Sequence, residues 1–346
     1  MTAAHEERRL ATLSLDLDDV WAYLRTKGDM EWARAPSVLA LAVSRLLPLL
    51  DHLQLRITVF VVGRDAERPA GAEVVQMLVQ AGHEVASHSF LHRGDLPILA
   101  PHDIAEDLER TAAAITAAAG RPPLGFRCPS FGTSASLLQA LHKLGYTYDA
   151  SVLPTYLSPL LRAYYRSRLY AHSGPRDHGS DLFGPAANAT LPLAPFRWRI
   201  DGSTLLELPV STIPFLRTPM HMSYLNVVGA VSAPIANGYF SAGLAALKVR
   251  GVAPSFLLHP TDLIDGRDAP ALSFFPGMAR PWQAKLDQLQ QTLARLASGF
   301  AVMPLGKAAA RLRDRELALR TPRTPPSGMF PRRFGRTHAE STTGET

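Results

Sequence analysis

Short apolar runs alternate with amphipathic helical stretches along this chain, and that rhythm constrains the fold more than any other feature. Ala11–Leu17 alternates polar and apolar positions before Asp18 and Asp19, Pro36–Leu53 has helical apolar spacing with a proline near its start, and Arg56–Val62 is a β-branched run stopped by Gly63. The same reading predicts helices over 71–81, 101–119 and 134–144, and strands over 83–88, 124–128 and 146–149. Strands alternating with helices at this spacing imply parallel β/α architecture, and more than four such units favour a barrel over an open sheet.

The rhythm lapses from Val152 to about Thr204, a stretch rich in Pro, Gly, Tyr and Arg. It returns with strands at 205–210, 255–259 and 300–303 and helices at 241–249, 282–297 and 306–319. With 346 residues, 47% of them hydrophobic, the chain can bury a large core. The expected organisation is a charged arm over 1–10, one α/β domain over 11–320 interrupted by an irregular insertion at 152–204, and a disordered tail over 321–346.

Charge is unevenly spread. The formal net charge is +6, yet nine Lys/Arg face only Asp314 and Glu316 between 307 and 337, so the rest of the chain is close to neutral. The basic residues form no folded face interleaved with aromatics, and nucleic acid is not an expected partner. The single cysteine, Cys128, cannot form an internal disulfide, and the polar first ten residues lack a secretory apolar run, so the expected location is the cytoplasm, peripheral to the cytoplasmic face of the inner membrane if the basic tail binds it. The most apolar region, Asn226–Leu247, is broken by Pro234, Asn237, Gly238 and Gly243, short of the roughly 20 apolar residues a membrane span needs.

Polar residues gather where strands end, which is where β/α folds place their chemistry. Asp16 and Asp18 share a strand face and can converge as a base and a ligand, while Asp19 follows at once. His88 and His92, four apart after another strand, can chelate one divalent ion, and with a carboxylate they make a two-histidine, one-carboxylate site open to water. Arg127 at a third strand end suits an ion pair with an aspartate of the site, and neighbouring Cys128 suits packing. His259 closes an apolar strand and can carry a proton near neutral pH, with Asp149 either tuning it or serving a turn.

The order Asp-x-Asp, Ser-His-Ser-x-x-His, Arg-x-Pro, Tyr-Asp and Leu-Leu-His resembles the metal-dependent polysaccharide deacetylases, the carbohydrate esterases homologous to chitooligosaccharide deacetylases, over roughly 11–303. The resemblance implies a distorted β/α barrel. It further implies Asp16 as catalytic base, Asp18, His88 and His92 as ligands of one divalent metal, Arg127 as partner of Asp16, His259 as general acid, and Asp149 tuning His259. Pro129, Ser130 and Phe131 fall at the substrate. The family's first motif usually has two adjacent aspartates followed by glycine, so Asp19 competes with Asp18 for the ligand role. Zinc suits such donors, and cobalt, nickel, manganese or iron also fit.

Three functions follow as expectations. One is an N-deacetylase or deformylase of an amino sugar presented at a membrane, such as a polyprenyl-phosphate-linked precursor of the cell envelope. Its grounds are the apolar and aromatic stretches 156–170 and 226–240, Arg162, Arg166 and Arg168, and the basic tail. Each tail cation near an anionic leaflet contributes about 1 kcal/mol. The second is a deacetylase of a soluble sugar conjugate or another small amide. The third, from another class, is a catalytically silent carbohydrate-binding protein.

Overall fold

The computed structural model describes residues 9–160, 163 and 186–322. The N-terminal arm before Arg9, most of the irregular insertion with Arg162, Arg166 and Arg168, and the tail from 323 lie outside the described residues. The described residues form ten strands: β1 Leu10–Leu17, β2 Thr58–Val61, β3 Glu84–Ser87, β4 Gly125–Phe126, β5 Tyr148–Asp149, β6 Phe196–Ile200, β7 Ser203–Glu207, β8 Ser255–Leu258, β9 Ala301–Met303 and β10 Leu319–Arg320. The α-helices are α1 Val20–Lys27, α2 Leu39–His52, α3 Gly63–Glu67, α4 Pro69–Gln80, α5 Pro101–Ala119, α6 Ala135–Lys143, α7 Met222–Val231, α8 Ala233–Val249, α9 Trp282–Gly299 and α10 Leu305–Leu312.

The strands form one sheet in the order β10-β6-β7-β5-β4-β3-β2-β1-β8, with β9 beside the start of β1. Among the described strands β6 and β7 pair antiparallel, and the other pairs are parallel. The ladder is open, but its row curls round. Beyond β7 the chain meets β8, where the Ser211 N–H donates to the Ser255 carbonyl at 3.0 Å and the Ser255 N–H donates to Ser211 Oγ at 2.7 Å. The result is an α/β fold whose sheet approaches a distorted barrel.

The alternation in β1 acquires a meaning that a surface strand would not have. Leu13, Leu15 and Leu17 belong to the core under the helices, whereas Ser14 and Asp16, on the other face, meet Arg127 inside the curl of the sheet. Both faces are buried, so the polar positions mark an interior polar site instead of solvent. Close packing inside the curl also explains Gly125: a Cβ there would lie 1.9 Å from Tyr148 Cζ, and the tyrosine crosses β4 to donate to Glu84 Oε1 at 3.0 Å.

Some expected elements shift. The irregular insertion ends earlier than Thr204, because β6 and β7 form a hairpin across Asp201 and Gly202, whose φ values of 38° and 83° are those that an Asp-Gly turn accepts. The apolar region before β8 is two helices, α7 and α8, with Ser232 capping the second through the Ile235 N–H. The expected helix over 306–319 stops at Leu312, and Leu319–Arg320 instead pairs with β6. Among the described residues no helix is long and apolar enough to cross a membrane.

Candidate metal centre and active site

Four strand ends bring their polar residues together at one cavity. Asp16 ends β1, His88 follows β3, Arg127 follows β4 and His259 follows β8; the cavity wall contains Asp16, Asp18, His88, His92 and His259. Asp18 Oδ1 lies 3.3 Å from both His88 Nε2 and His92 Nε2, and these three are the described residues whose donor atoms cluster as a metal site would require.

The chemistry of the three donors fits a cation. His88 Nδ1 lies 2.7 Å from the Arg127 carbonyl, which assigns its proton to Nδ1 and leaves the Nε2 lone pair facing Asp18. Asp18 Oδ1 is buried with no hydrogen-bond donor. Two lone pairs held face to face call for a positive charge between them, supplied by a proton or a divalent ion. Burial is the largest influence on Asp18 and pushes it up, but His92 and His88 together hold it well below its ordinary value. For His88 burial again opposes the charge, and Asp16 and Asp18 outweigh it, so its pKa is raised.

The loop carrying the histidines is held in an unfavourable shape. Ser89 and His92 have φ of 62° and 50°, a region side chains rarely adopt. Asp107 on α5 secures it, accepting from Ser89 Oγ and from the Phe90 N–H, each at 3.0 Å. Ser130 and Phe131, both at φ 61°, reach the same cavity from the loop after β4, while Pro129 starts that turn without lining the cavity.

Arg127 is wholly buried and fixes Asp16. Its Nη1 donates to Asp16 Oδ1 at 2.6 Å and to Ser14 Oγ at 2.9 Å, and its Nε donates to the Ala150 carbonyl at 2.9 Å. The second Asp16 oxygen, Oδ2, stands 3.9 Å from His259 Nε2. The other nitrogen, His259 Nδ1, is 3.1 Å from Ser223 Oγ, which donates to Asp262 Oδ2 at 3.1 Å. Asn226 Nδ2 and the His259 N–H also donate to Asp262.

Two expectations need correction. Asp19 points away from the ligands: its Oδ1 accepts from the Val20 N–H at 2.8 Å and the Val38 N–H at 3.0 Å, capping α1. Asp149 does not serve His259. It accepts from the Ala150 N–H and Ser151 Oγ and shares a hydrogen bond with Glu207 on β7, while Asp262 takes the place beside the histidine. Cys128 is buried, and burial pushes its thiol up, which suits packing.

The Asp149–Glu207 pair has a consequence for stability. Burial raises Asp149 to about 6, and burial together with the neighbouring Asp149 charge carries Glu207 well above the ordinary carboxylate range. An acid raised by folding binds more protons folded than unfolded. The stability it contributes is therefore present in acid and is lost as pH rises from about 4 through the folded value. Glu207→Gln removes that proton uptake and gives Asp149 a permanent donor, so its thermal midpoint should fall less than wild type's between about pH 4 and pH 7. Melting curves over that window measure it, and parallel profiles would exclude a shared proton.

Sequence reading missed His221, Ser223, Tyr23, Lys27, Phe274 and Phe275, which also line the cavity, and assigned no role to Asp262. The available signals were weak. Asp262 follows His259 by three residues in a proline turn, and His221 is a lone polar side chain between Met220 and Met222.

Comparisons with known proteins agree with this geometry. Residues 34–148 match the family described as polysaccharide deacetylase. A peptidoglycan deacetylase of Helicobacter pylori is 28% identical over 155 residues, 43% of this chain and 52% of that protein, so the chain spans about half the length of this relative. A Mycobacterium smegmatis crystal structure assigned to the polysaccharide deacetylases covers 94% of this chain and 97% of its own at TM-score 0.60 and 20% identity. Puue allantoinase covers 90% and 92% at TM-score 0.53 and 16% identity. The two structures establish the fold only, since one fold hosts different reactions. The sequence match over 34–148, together with the strand-end residues gathered at one cavity, makes this part of the chain similar to the polysaccharide deacetylase family.

Proposed function

We propose that this chain is a metal-dependent hydrolase that removes an N-acetyl or N-formyl group from an amino sugar. The observation that carries the reading is the meeting of Asp18, His88 and His92 with the Arg127-held Asp16 and with His259 at one cavity. A divalent ion held by Asp18, His88 and His92, zinc by the preference of two imidazoles and a carboxylate, supplies a polarised amide carbonyl and a more acidic water.

The chain's own groups do the proton work. Asp16, with Oδ1 tied to Arg127, offers Oδ2 to take the proton of the attacking water. His259, whose Nδ1–H donates to Ser223 Oγ and through it leans on Asp262, presents Nε2 as the atom that passes a proton to the leaving amine. Tyr23, Phe131, Phe274 and Phe275 give the cavity apolar walls that limit water around the reacting bond.

This assignment makes Asp262 a positioning residue. Asp262→Asn should lower kcat on the order of 10²-fold with little change in KM, and should move the alkaline limb of the pH profile. Steady-state kinetics across pH measure both; an unchanged alkaline limb assigns Asp262 to structure alone.

The substrate we propose is lipid-linked, a cell-envelope precursor met at the cytoplasmic face of a membrane. Supporting it are exposed apolar groups flanked by cations. Phe215 is 77% and Leu216 67% exposed, with Arg250 over the Phe215 ring at 5.2 Å and Arg217 over exposed Tyr156 at 5.8 Å. The test is release of acetate or formate by the zinc-loaded protein from N-acetyl and N-formyl glucosamine and galactosamine, each free, 1-phosphorylated and polyprenyl-phosphate-linked. Release confined to the soluble sugars overturns the lipid claim, and no release from any overturns the hydrolase reading.

A further inference from the structure

The loop that exposes Phe215 and Leu216 is held in its shape from both sides. The chain turns back between Ile213 and Thr218: the Ile213 N–H donates to the Thr218 carbonyl at 2.9 Å, the Arg217 N–H donates to the Ile213 carbonyl at 2.8 Å, and Thr212 faces Pro219 in an antiparallel bridge. Ile213 and Met220 anchor the two flanks in the interior. Tyr239 on α8 braces the stem, its hydroxyl donating to the Pro219 carbonyl at 2.8 Å. Between these anchors Phe215 and Arg217 hold φ of 68° and 49°, backbone that such side chains adopt only at a cost. The fold keeps an aromatic ring and a leucine in water against both backbone preference and the drive to bury them.

The charges around the loop indicate what meets it. Arg250 stands over the Phe215 ring and Arg217 over the exposed Tyr156 ring, while Lys248 and the exposed Val249 end α8 beside Arg250. From 208 to 261 the sequence contains no Asp or Glu, and its cations are Arg217, Lys248 and Arg250. Met30 supplies the contrast: it is 80% exposed, but it stands between Asp29 and Glu31. An apolar tip ringed by cations matches anionic headgroups lying over hydrocarbon, where rings and methyls enter the acyl boundary and guanidinium groups stay among the phosphates. A second copy docked by the same face would set these three cations against their own kind.

We propose that the 214–217 loop and the end of α8 form a membrane-docking wedge, in which Phe215, Leu216 and Val249 enter an anionic leaflet and Arg217, Lys248 and Arg250 engage its headgroups. This rests on the lipid-linked reading and deepens it, assigning the membrane contact to the folded body and not to the basic tail. Docking needs neither metal nor substrate, so it is measured without activity.

The test sediments the full chain with vesicles of phosphatidylcholine, alone or in equal parts with phosphatidylglycerol. Wild type should bind the mixed vesicles far better than the neutral ones, and salt should weaken that binding. The double variant Phe215→Ser, Leu216→Ser should bind roughly tenfold or more weakly, and Arg250→Gln roughly fivefold, the effect of one cation at an anionic leaflet. Met30→Ser should bind as wild type does, and all these variants should keep the wild-type thermal midpoint. In Phe215→Trp the added emission should be quenched by brominated lipid, which contact through the tail alone would not produce. Full binding by the double variant overturns the proposal, and so does a dimer that the same two changes dissolve, which assigns the face to a second copy. A protein that hydrolyses free N-acyl sugars but ignores both vesicles loses the docking wedge alone. One that docks through the loop and hydrolyses no member of the panel loses the hydrolase reading alone.

Discussion

On the proposed function, replacing His92 by alanine should abolish binding of a divalent ion and slow amide hydrolysis on the order of 10³-fold, the rate equivalent of several kcal/mol of lost charge stabilisation. With Asp18 Oδ1 3.3 Å from each imidazole, removal of one leaves two donors, too few for a site that also binds water. The loss of affinity should exceed the 10- to 100-fold typical of outer hydrogen-bond partners. Metal analysis after dialysis, beside the release assay, measures both effects. Asp18→Asn should behave likewise. Asp19→Ala should instead keep its metal and lose about 1 kcal/mol of stability, because its carboxylate caps α1. Full metal occupancy in His92→Ala would overturn the assignment.

Arg127→Met should be damaging in a different way. The guanidinium is wholly buried, and its loss strands the Asp16 carboxylate without its partner at 2.6 Å, a change that costs about 3–5 kcal/mol where buried pairs are broken. The same change frees Asp16 to rotate, so hydrolysis should fall about 10²- to 10⁴-fold, the range of a misplaced general base. Arg127→Lys should recover little. One ammonium cannot reproduce the fork that reaches Asp16, Ser14 and the Ala150 carbonyl together. Denaturant unfolding and the release assay read the two losses separately. Wild-type midpoint and rate in Arg127→Met would make the ion pair idle.

Much of the site was legible because of where its residues stand in the chain. A parallel sheet carries the ends of successive strands to one side, so residues at strand ends meet even when separated by more than a hundred positions. Asp16 and Arg127 show it, 111 residues apart and 2.6 Å in contact. The spacing of His88 and His92 likewise let both reach Asp18 at one place. What stayed hidden depends on which side chains oppose one another across the sheet. Asp149 sits at a strand end like the rest, and only its neighbour Glu207, on a strand reached after the insertion, turns it from the histidine toward a shared proton. Asp18 and Asp19 are equivalent in sequence. One rotation about the chain sends the first to the histidines and the second to the backbone N–H groups that open α1 and α2.

By itself the sequence determined the α/β architecture and the set of groups at its strand ends, since both follow from local periodicity. Tertiary structure decided the pairings: Asp262 with His259 through Ser223, Glu207 with Asp149, and His221 in the cavity wall. Those pairings arise from the curl of the sheet and the path of α7, which are set by packing between distant segments and leave no local pattern in the chain.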